Sequence, residues 1–197
     1  IIPADAKMKE EAYSFYGLDP KKKHIFIVGG SLGSGTLNKS MQKWISDGCP
    51  GGENVEIIWQ CGKYYKPSVD TFMNEAREKG IKGLENIQHS DFIKRMDLAY
   101  AAADVIISRS GASSISEICA AGKACIFVPS PNVAEDHQTH NAMALVRKDA
   151  AMLIKDSEAV EKLMPAACEL LEDKERIAAM ERNIAALALT DAAMTIA

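Results

Sequence analysis

Short apolar runs without polar alternation recur along the chain, and between them hydrophobic positions return every third or fourth residue. His24-Ile25-Phe26-Ile27-Val28, Val55-Glu56-Ile57-Ile58-Trp59, Val105-Ile106-Ile107, Ala124-Cys125-Ile126-Phe127-Val128 and Ala151-Met152-Leu153-Ile154 have strand length. Runs of this kind predict strands covered on both faces, and Asn86-Ile87-Gln88 adds a shorter one. Helical spacing fills the gaps, through Leu37, Met41, Trp44 and Ile45, then through Val69, Phe72, Met73 and Ala76 behind a helix-opening Pro67. It continues through Met96 to Ala101 and through Ala142, Leu145 and Val146. Two terminal helices follow, one through Val160, Leu163, Ala167, Leu170 and Leu171, the other through Ile177, Met180, Ile184 and Leu187. Ahead of the first strand, Asp5 caps a helix through Met8, Ala12, Phe15 and Tyr16 that stops at Gly17. Strands joined through helices are parallel with right-handed crossovers, so the pattern predicts a Rossmann-like, doubly wound α/β sheet. With no internal repeat or low-complexity linker, residues 1–197 read as one domain.

Composition narrows the function classes. A length of 197 residues suffices for a sizeable core, and 47% hydrophobic with 25% charged residues is ordinary for a globular protein. A net charge of -4 with no Lys/Arg-rich block gives no electrostatic footprint for nucleic acid or an anionic membrane. No apolar run approaches the ~18 residues that span a bilayer, and no secretory signal opens the chain. The five cysteines are odd in number and form no C-x-x-C pair, which fits small core residues in a reducing cytoplasm. Starting at Ile1 without Met, the chain is expected to be a fragment of a longer protein.

The candidate chemistry lies where strands end. Gly29-Gly30-Ser31-Leu32-Gly33-Ser34-Gly35 joins a strand to a helix and has the make-up of a phosphate cradle or of a close helix-to-sheet turn. It is neither a Walker A loop nor a G-x-G-x-x-G fingerprint, since no Lys-Ser/Thr pair follows and residue 38 is Asn. Phe92, Ile93 and Met96 sit between a strand and a helix, either as a staple into that helix or as a platform for a flat base. Arg109-Ser110-Gly111-Ala112-Ser113-Ser114-Ile115-Ser116-Glu117 reads as strand end, glycine turn and helix start. There the helix amides suit a diphosphate and Glu117 suits the two hydroxyls of a ribose. Ser114-x-x-Glu117 is equally the signature of a capping box. His137, Gln138, His140 and Asn141 follow another strand end, either as part of a ligand crevice or as a polar helix start capped by Asp136. His137 and His140 lack a third metal ligand nearby. All these stretches fall along one edge of the sheet, which favours the nucleotide-site reading of Glu117.

Gly29-Gly30-Ser31-Leu32-Gly33, Phe92-Ile93-x-x-Met96, Ser108-Arg109-Ser110-Gly111-Ala112-x-x-Ile115-Ser116-Glu117 and Asp136-His137-Gln138-x-x-Asn141-Ala142 occur in an order and spacing that resembles the C-terminal domain of the MurG family. These are N-acetylglucosaminyltransferases that make lipid II, and the resemblance covers nearly the whole chain. It implies the C-terminal half of a GT-B fold, a donor domain holding UDP-N-acetylglucosamine, with no cofactor and no metal. Gly30, Ser31 and Gly33 would approach the diphosphate, while the Ile93 backbone reads the uracil edge beside Met96. Gly111, Ala112, Ser113, Ser114, Ile115 and Ser116 would line the nucleotide, Glu117 would hold the ribose, and Arg109 would help stabilise the leaving UDP. Gln138 would bind sugar hydroxyls with Asn141 near it. His137 stands where the family has the first residue of a Gln-Gln pair, and Leu32 where it commonly has Gln. The lipid I acceptor, the general base and the membrane contact belong to an N-terminal domain outside this chain, so the resemblance implies donor binding without turnover. It places the full-length enzyme at the inner face of the cell membrane. Two other readings share the fold: a UDP-N-acetylglucosamine 2-epimerase, which needs its own acid/base residues, and a non-catalytic donor-binding subunit that works with a partner chain.

Overall fold

The computed structural model describes residues 1–132 and 137–196, the last seven of these as helix backbone only. The strands are β1 (Lys23–Val28), β2 (Val55–Gln60), β3 (Ile87–Ser90), β4 (Val105–Ser108), β5 (Ala124–Phe127) and β6 (Met152–Leu153). They form one six-stranded sheet in the order β3-β2-β1-β4-β5-β6, every pair parallel. The expected doubly wound α/β architecture is therefore observed. The helices are α1 (Ala6–Tyr16), α2 (Gly35–Ser46), α3 (Lys66–Glu78), α4 (Met96–Ala102), α5 (Ala112–Ala121), α6 (His137–Val146), α7 (Asp156–Glu172) and α8 (Lys174–Ile196).

Parallel strands need helical crossovers, and these cover both faces of the sheet. Along β1, Ile25 and Ile27 face a core shared with α2, α3 and α7, whereas Phe26 and Val28 face one shared with α1, α4 and α5. β4 and β5 split the same way, with Ile107 and Ile126 on the first face and Ile106 and Phe127 on the second. Because both faces are buried, no polar alternation is required, which explains the unbroken apolar runs. Each of these large side chains contributes roughly 1.5 to 3 kcal/mol through its burial.

Helix ends follow local chemistry. Asp5 Oδ1 accepts from the Met8 amide at 2.8 Å, and α1 ends at Gly17 with φ 64°, as expected. Ser34 caps α2 by accepting from the Leu37 amide at 3.3 Å. One expected boundary moves: Asn86 lies in a 3-10 turn (Leu84–Asn86), so β3 starts at Ile87. α6 includes His137, Gln138 and Asn141 in its first turns, in line with the reading of a polar helix start.

One buried polar network ties the elements beneath the loops. Trp59, fully buried on β2, donates its indole N–H to Asn38 Oδ1 of α2 at 2.9 Å. Asn38 Nδ2 in turn donates to the Cys61 carbonyl at 2.9 Å. The turn after β2 is thereby locked against the helix that follows β1.

Candidate functional site

The chain leaves β1 toward β2 and β3 on one side, and β4 continues toward β5 and β6 on the other. A crevice opens at the carboxyl ends of the strands where the winding reverses, the place where open α/β sheets bind ligands. Here it is a cleft of about 250 Å³. Of the residues expected from the sequence, it brings together Gly30, Ser31, Ile93, Met96, Arg109, Ser113, Ser114 and Glu117, and its walls also include Gln60, Phe92 and Tyr100.

The glycine loop after β1 is held by Gln60 at the end of β2. Gln60 Oε1 accepts from the Gly30 amide at 3.0 Å, and Gln60 Nε2 donates to the Gly30 carbonyl at 2.9 Å and to the Asp91 carbonyl at 3.4 Å. One amide side chain thus occupies both sides of Gly30 and fastens its loop to the loop after β3. Gly33 faces away from this cleft. With φ 88°, its missing Cβ would lie 2.3 Å from the Cys61 carbonyl oxygen, so it serves the close approach of two loops.

The loop after β4 is built differently. α5 begins at Ala112 with Gly111 as N-cap, and no side chain caps its first turn. Ser114 therefore lies inside the helix, and the capping-box reading of Ser114 and Glu117 does not hold. The amides of this turn have no acceptor within the helix and lie at the positive end of its dipole. Glu117 turns to the cleft instead, where Tyr100 Oη donates to its Oε2 at 2.8 Å. Burial first, and the Glu117 carboxylate second, push the Tyr100 hydroxyl well above the usual tyrosine range, so it stays a proton donor. Gly111 has φ -65°, open to any residue, and among the described residues a Cβ there would meet only Gln138 Nε2, at 3.9 Å. Neither the backbone nor packing among the described residues requires glycine at this position.

Arg109 lines the cleft, but its Nη1 donates to the Val128 and Pro129 carbonyls at 3.1 Å and to Asp156 at 2.5 Å. Part of its charge is therefore neutralised at the start of α7. Gln138 is buried, and its Oε1 accepts from the Ser130 amide at 2.9 Å and the Ser110 amide at 3.4 Å. Asn141 Nδ2 donates to the Ser110 carbonyl at 3.5 Å. These two side chains pin α6 to the loops after β4 and β5. His137, Ala112 and Ser116 are exposed on their helices, and Ile115 packs against the core behind α5. Asp136, read as a possible helix cap, lies outside the described residues. Among the described residues no group of three His, Cys, Asp or Glu is placed to hold a metal ion, and no helix is long and apolar enough to cross a membrane.

Sequence reasoning missed Gln60 and Tyr100. Gln60 is the polar residue that ends an otherwise apolar run, and Tyr100 follows Met96 by one helical turn on the same face. Among the described residues Glu117 is the one carboxylate in the cleft wall, with no second carboxylate beside it to make an acid and base pair.

The glycosyltransferase family 28 C-terminal domain model matches residues 24–196. A UDP-N-acetylglucosamine--N-acetylmuramyl-(pentapeptide) pyrophosphoryl-undecaprenol N-acetylglucosamine transferase of Parabacteroides distasonis is 50% identical over 180 residues, 91% of this chain and 47% of that protein. The enzyme of the same name from Bacteroides fragilis is 47% identical over 194 residues, 98% of this chain and 50% of its own length. The chain thus spans about half the length of the curated relatives it matches. Among solved structures, Acinetobacter baumannii MurG aligns with a TM-score of 0.67 at 30% identity, covering 88% of this chain and 48% of that one. A UDP-N-acetylglucosamine 2-epimerase aligns with a TM-score of 0.52 at 13% identity over 91% of this chain and 40% of its own, a likeness of fold alone. The expected GT-B half and the resemblance to MurG are both met, and the chain belongs to the glycosyltransferase family 28 C-terminal domain family.

Proposed function

We propose that residues 1–197 are the donor-binding domain of an N-acetylglucosaminyltransferase that transfers N-acetylglucosamine from its UDP-activated form to lipid I, giving lipid II. The observation that carries this reading is the Glu117 carboxylate, held by Tyr100 in a cleft that the uncapped start of α5 and the Gly30-Ser31 loop also line. A carboxylate only accepts hydrogen bonds, so it suits the 2′- and 3′-hydroxyls of a ribose. The diphosphate then lies against the α5 amides and Ser31, and the uracil lies near Phe92, Met96 and the Ile93 backbone. Glycine at residue 111 leaves room for the diphosphate to approach the main chain. The sugar points toward α6, where His137 is exposed and Gln138 and Asn141 order the surrounding loops.

In the reaction the acceptor 4-hydroxyl oxygen attacks the anomeric carbon with inversion. Its proton passes to a base on the other half of the protein, and the bond to the diphosphate breaks with its electron pair leaving on UDP. The α5 amides and the donors of Arg109 other than Nη1 stabilise that developing charge without a metal ion. The acceptor site, the base and the contact with the inner face of the cell membrane belong to the other half, so this chain binds donor and does not turn it over.

Calorimetric titration with UDP-N-acetylglucosamine, UDP and ADP tests the reading. Binding is expected for the uridine nucleotides in preference to ADP. Glu117→Ala and Glu117→Gln each remove charged hydrogen bonds worth ~1.5 to 3 kcal/mol, which corresponds to at least ~tenfold weaker binding. Equal affinity for ADP, or unchanged binding in both variants, would overturn it.

A further inference from the structure

The opposite edge of the sheet, away from the cleft, carries a second cavity of about 340 Å³ between the start of α1, the end of α5 and α8. Lys123, the residue before β5, lies in its wall and is 8% exposed. Its ammonium donates to the Ala101 carbonyl at 3.3 Å, and among the described residues it has no ion pair. The nearby Asp104 is engaged with His24, accepting from its amide at 2.8 Å. Burial first and the neighbouring Lys9 second hold the Lys123 ammonium below the usual lysine range, against the pull of Glu181 and Asp104. Burial also pushes the Glu181 carboxyl above its usual range. Lys9 and Arg182 share the cavity wall and are exposed, likewise without an ion pair among the described residues.

A nearly buried cation that shares a cavity wall with another cation is an arrangement that costs stability unless an anion lies between them. Three cationic side chains line this one cavity, against one carboxylate, Glu181, whose charge burial disfavours. We propose that Lys9, Lys123 and Arg182 form a binding site for a small phosphate-bearing anion, separate from the nucleotide cleft and independent of the function proposed above. A phosphate dianion offers several acceptors and converts the repulsion between the lysines into charge-assisted hydrogen bonds. The apolar part of the wall is small, made by residues such as Pro3, Ala4 and Ala185, so it suits a soluble anion rather than a lipid chain.

Backbone amide NMR spectra titrated with sodium phosphate, and in parallel with sodium chloride at equal ionic strength, test this. Saturable shifts of the Gly122, Lys123 and Ala185 amides with phosphate, absent with chloride, are expected. Lys123→Met should abolish them. The exposed pair Lys9→Ala with Arg182→Ala should weaken the phosphate response at least ~tenfold while leaving the fold intact. The same shifts in chloride, phosphate shifts confined to Gly30, Ser31 and Ser113, or an unchanged response in the Lys9/Arg182 double variant would each overturn the site.

Discussion

The loops after β1 and β4 lie side by side at the point where the sheet reverses its winding, and each joins a strand to a helix through glycine. They spend that glycine differently. In the first, Gly33 has a positive φ and no space for a Cβ, Ser34 caps the helix, and Gln60 fastens Gly30 on both sides. In the second, Gly111 has an ordinary φ and free space, the helix is uncapped, and the acidic residue of its second turn is held for the cleft by Tyr100. The first loop is explained by the fold. For the second, the described contacts give no such reason, and its features match the ligand proposed for the cleft.

The largest expected effect separates the two loops by stability. Gly33→Ala places a Cβ 2.3 Å from the Cys61 carbonyl oxygen at φ 88°. The clash and the backbone strain together should cost about 3 kcal/mol or more in denaturant unfolding. Gly111→Ala meets neither obstacle, so its unfolding free energy should stay within ~0.5 kcal/mol of the parent. UDP affinity of Gly111→Ala should nevertheless fall by roughly tenfold or more, because the added methyl occupies space left for the diphosphate; a 1.4 kcal/mol penalty is enough for that. Equal destabilisation by the two substitutions would erase the distinction between the loops.

An intermediate effect is expected beneath the first loop. Asn38→Ala leaves the Trp59 indole N–H and the Cys61 carbonyl, both buried, without their side-chain partner. Each unsatisfied buried group costs ~1 to 3 kcal/mol, so with two of them unfolding should be easier by about 2 kcal/mol or more. Nucleotide binding should weaken only as far as the Cys61-Gly62 turn releases Gly33.

The contrast also explains which parts of the molecule were readable from sequence. The strands were legible because burial on both faces leaves continuous apolar runs, and Asp5 and Gly17 marked the ends of α1 through local chemistry. The start of α5 was legible as a glycine turn after a strand, while Ser114 and Glu117 carry a capping signature that in fact lies inside the helix, because its N-cap is Gly111, which has no side chain. At α6 the sequence left a ligand crevice and a polar helix start side by side; His137, Gln138 and Asn141 lie in the helix, and Gln138 and Asn141 reach back to the loops after β4 and β5. In the cleft, the residues on loops that follow strand ends were found, while Gln60 and Tyr100 were not. Their roles depend on partners 30 and 17 residues away, and no local pattern encodes such pairings.

The smallest effect tests whether the Tyr100 hydroxyl serves the cleft or only the fold. Tyr100→Phe keeps the ring in its edge contact with Phe26, whose centroid is 5.5 Å away, and removes only the donor to Glu117. Losing one hydrogen bond should cost about 1 kcal/mol of stability. The Glu117 side chain remains but is no longer held in one orientation, so UDP should bind a few-fold more weakly, less than the loss in Glu117→Ala, and the two losses should not add when the substitutions are combined. Additive losses would mean that the hydroxyl meets the nucleotide itself, and an unchanged affinity would mean that Glu117 is oriented by the helix alone. In the expected case Tyr100 does for the second loop what Gln60 does for the first, with the difference that the group it holds is a side chain offered to a ligand instead of the backbone of the loop.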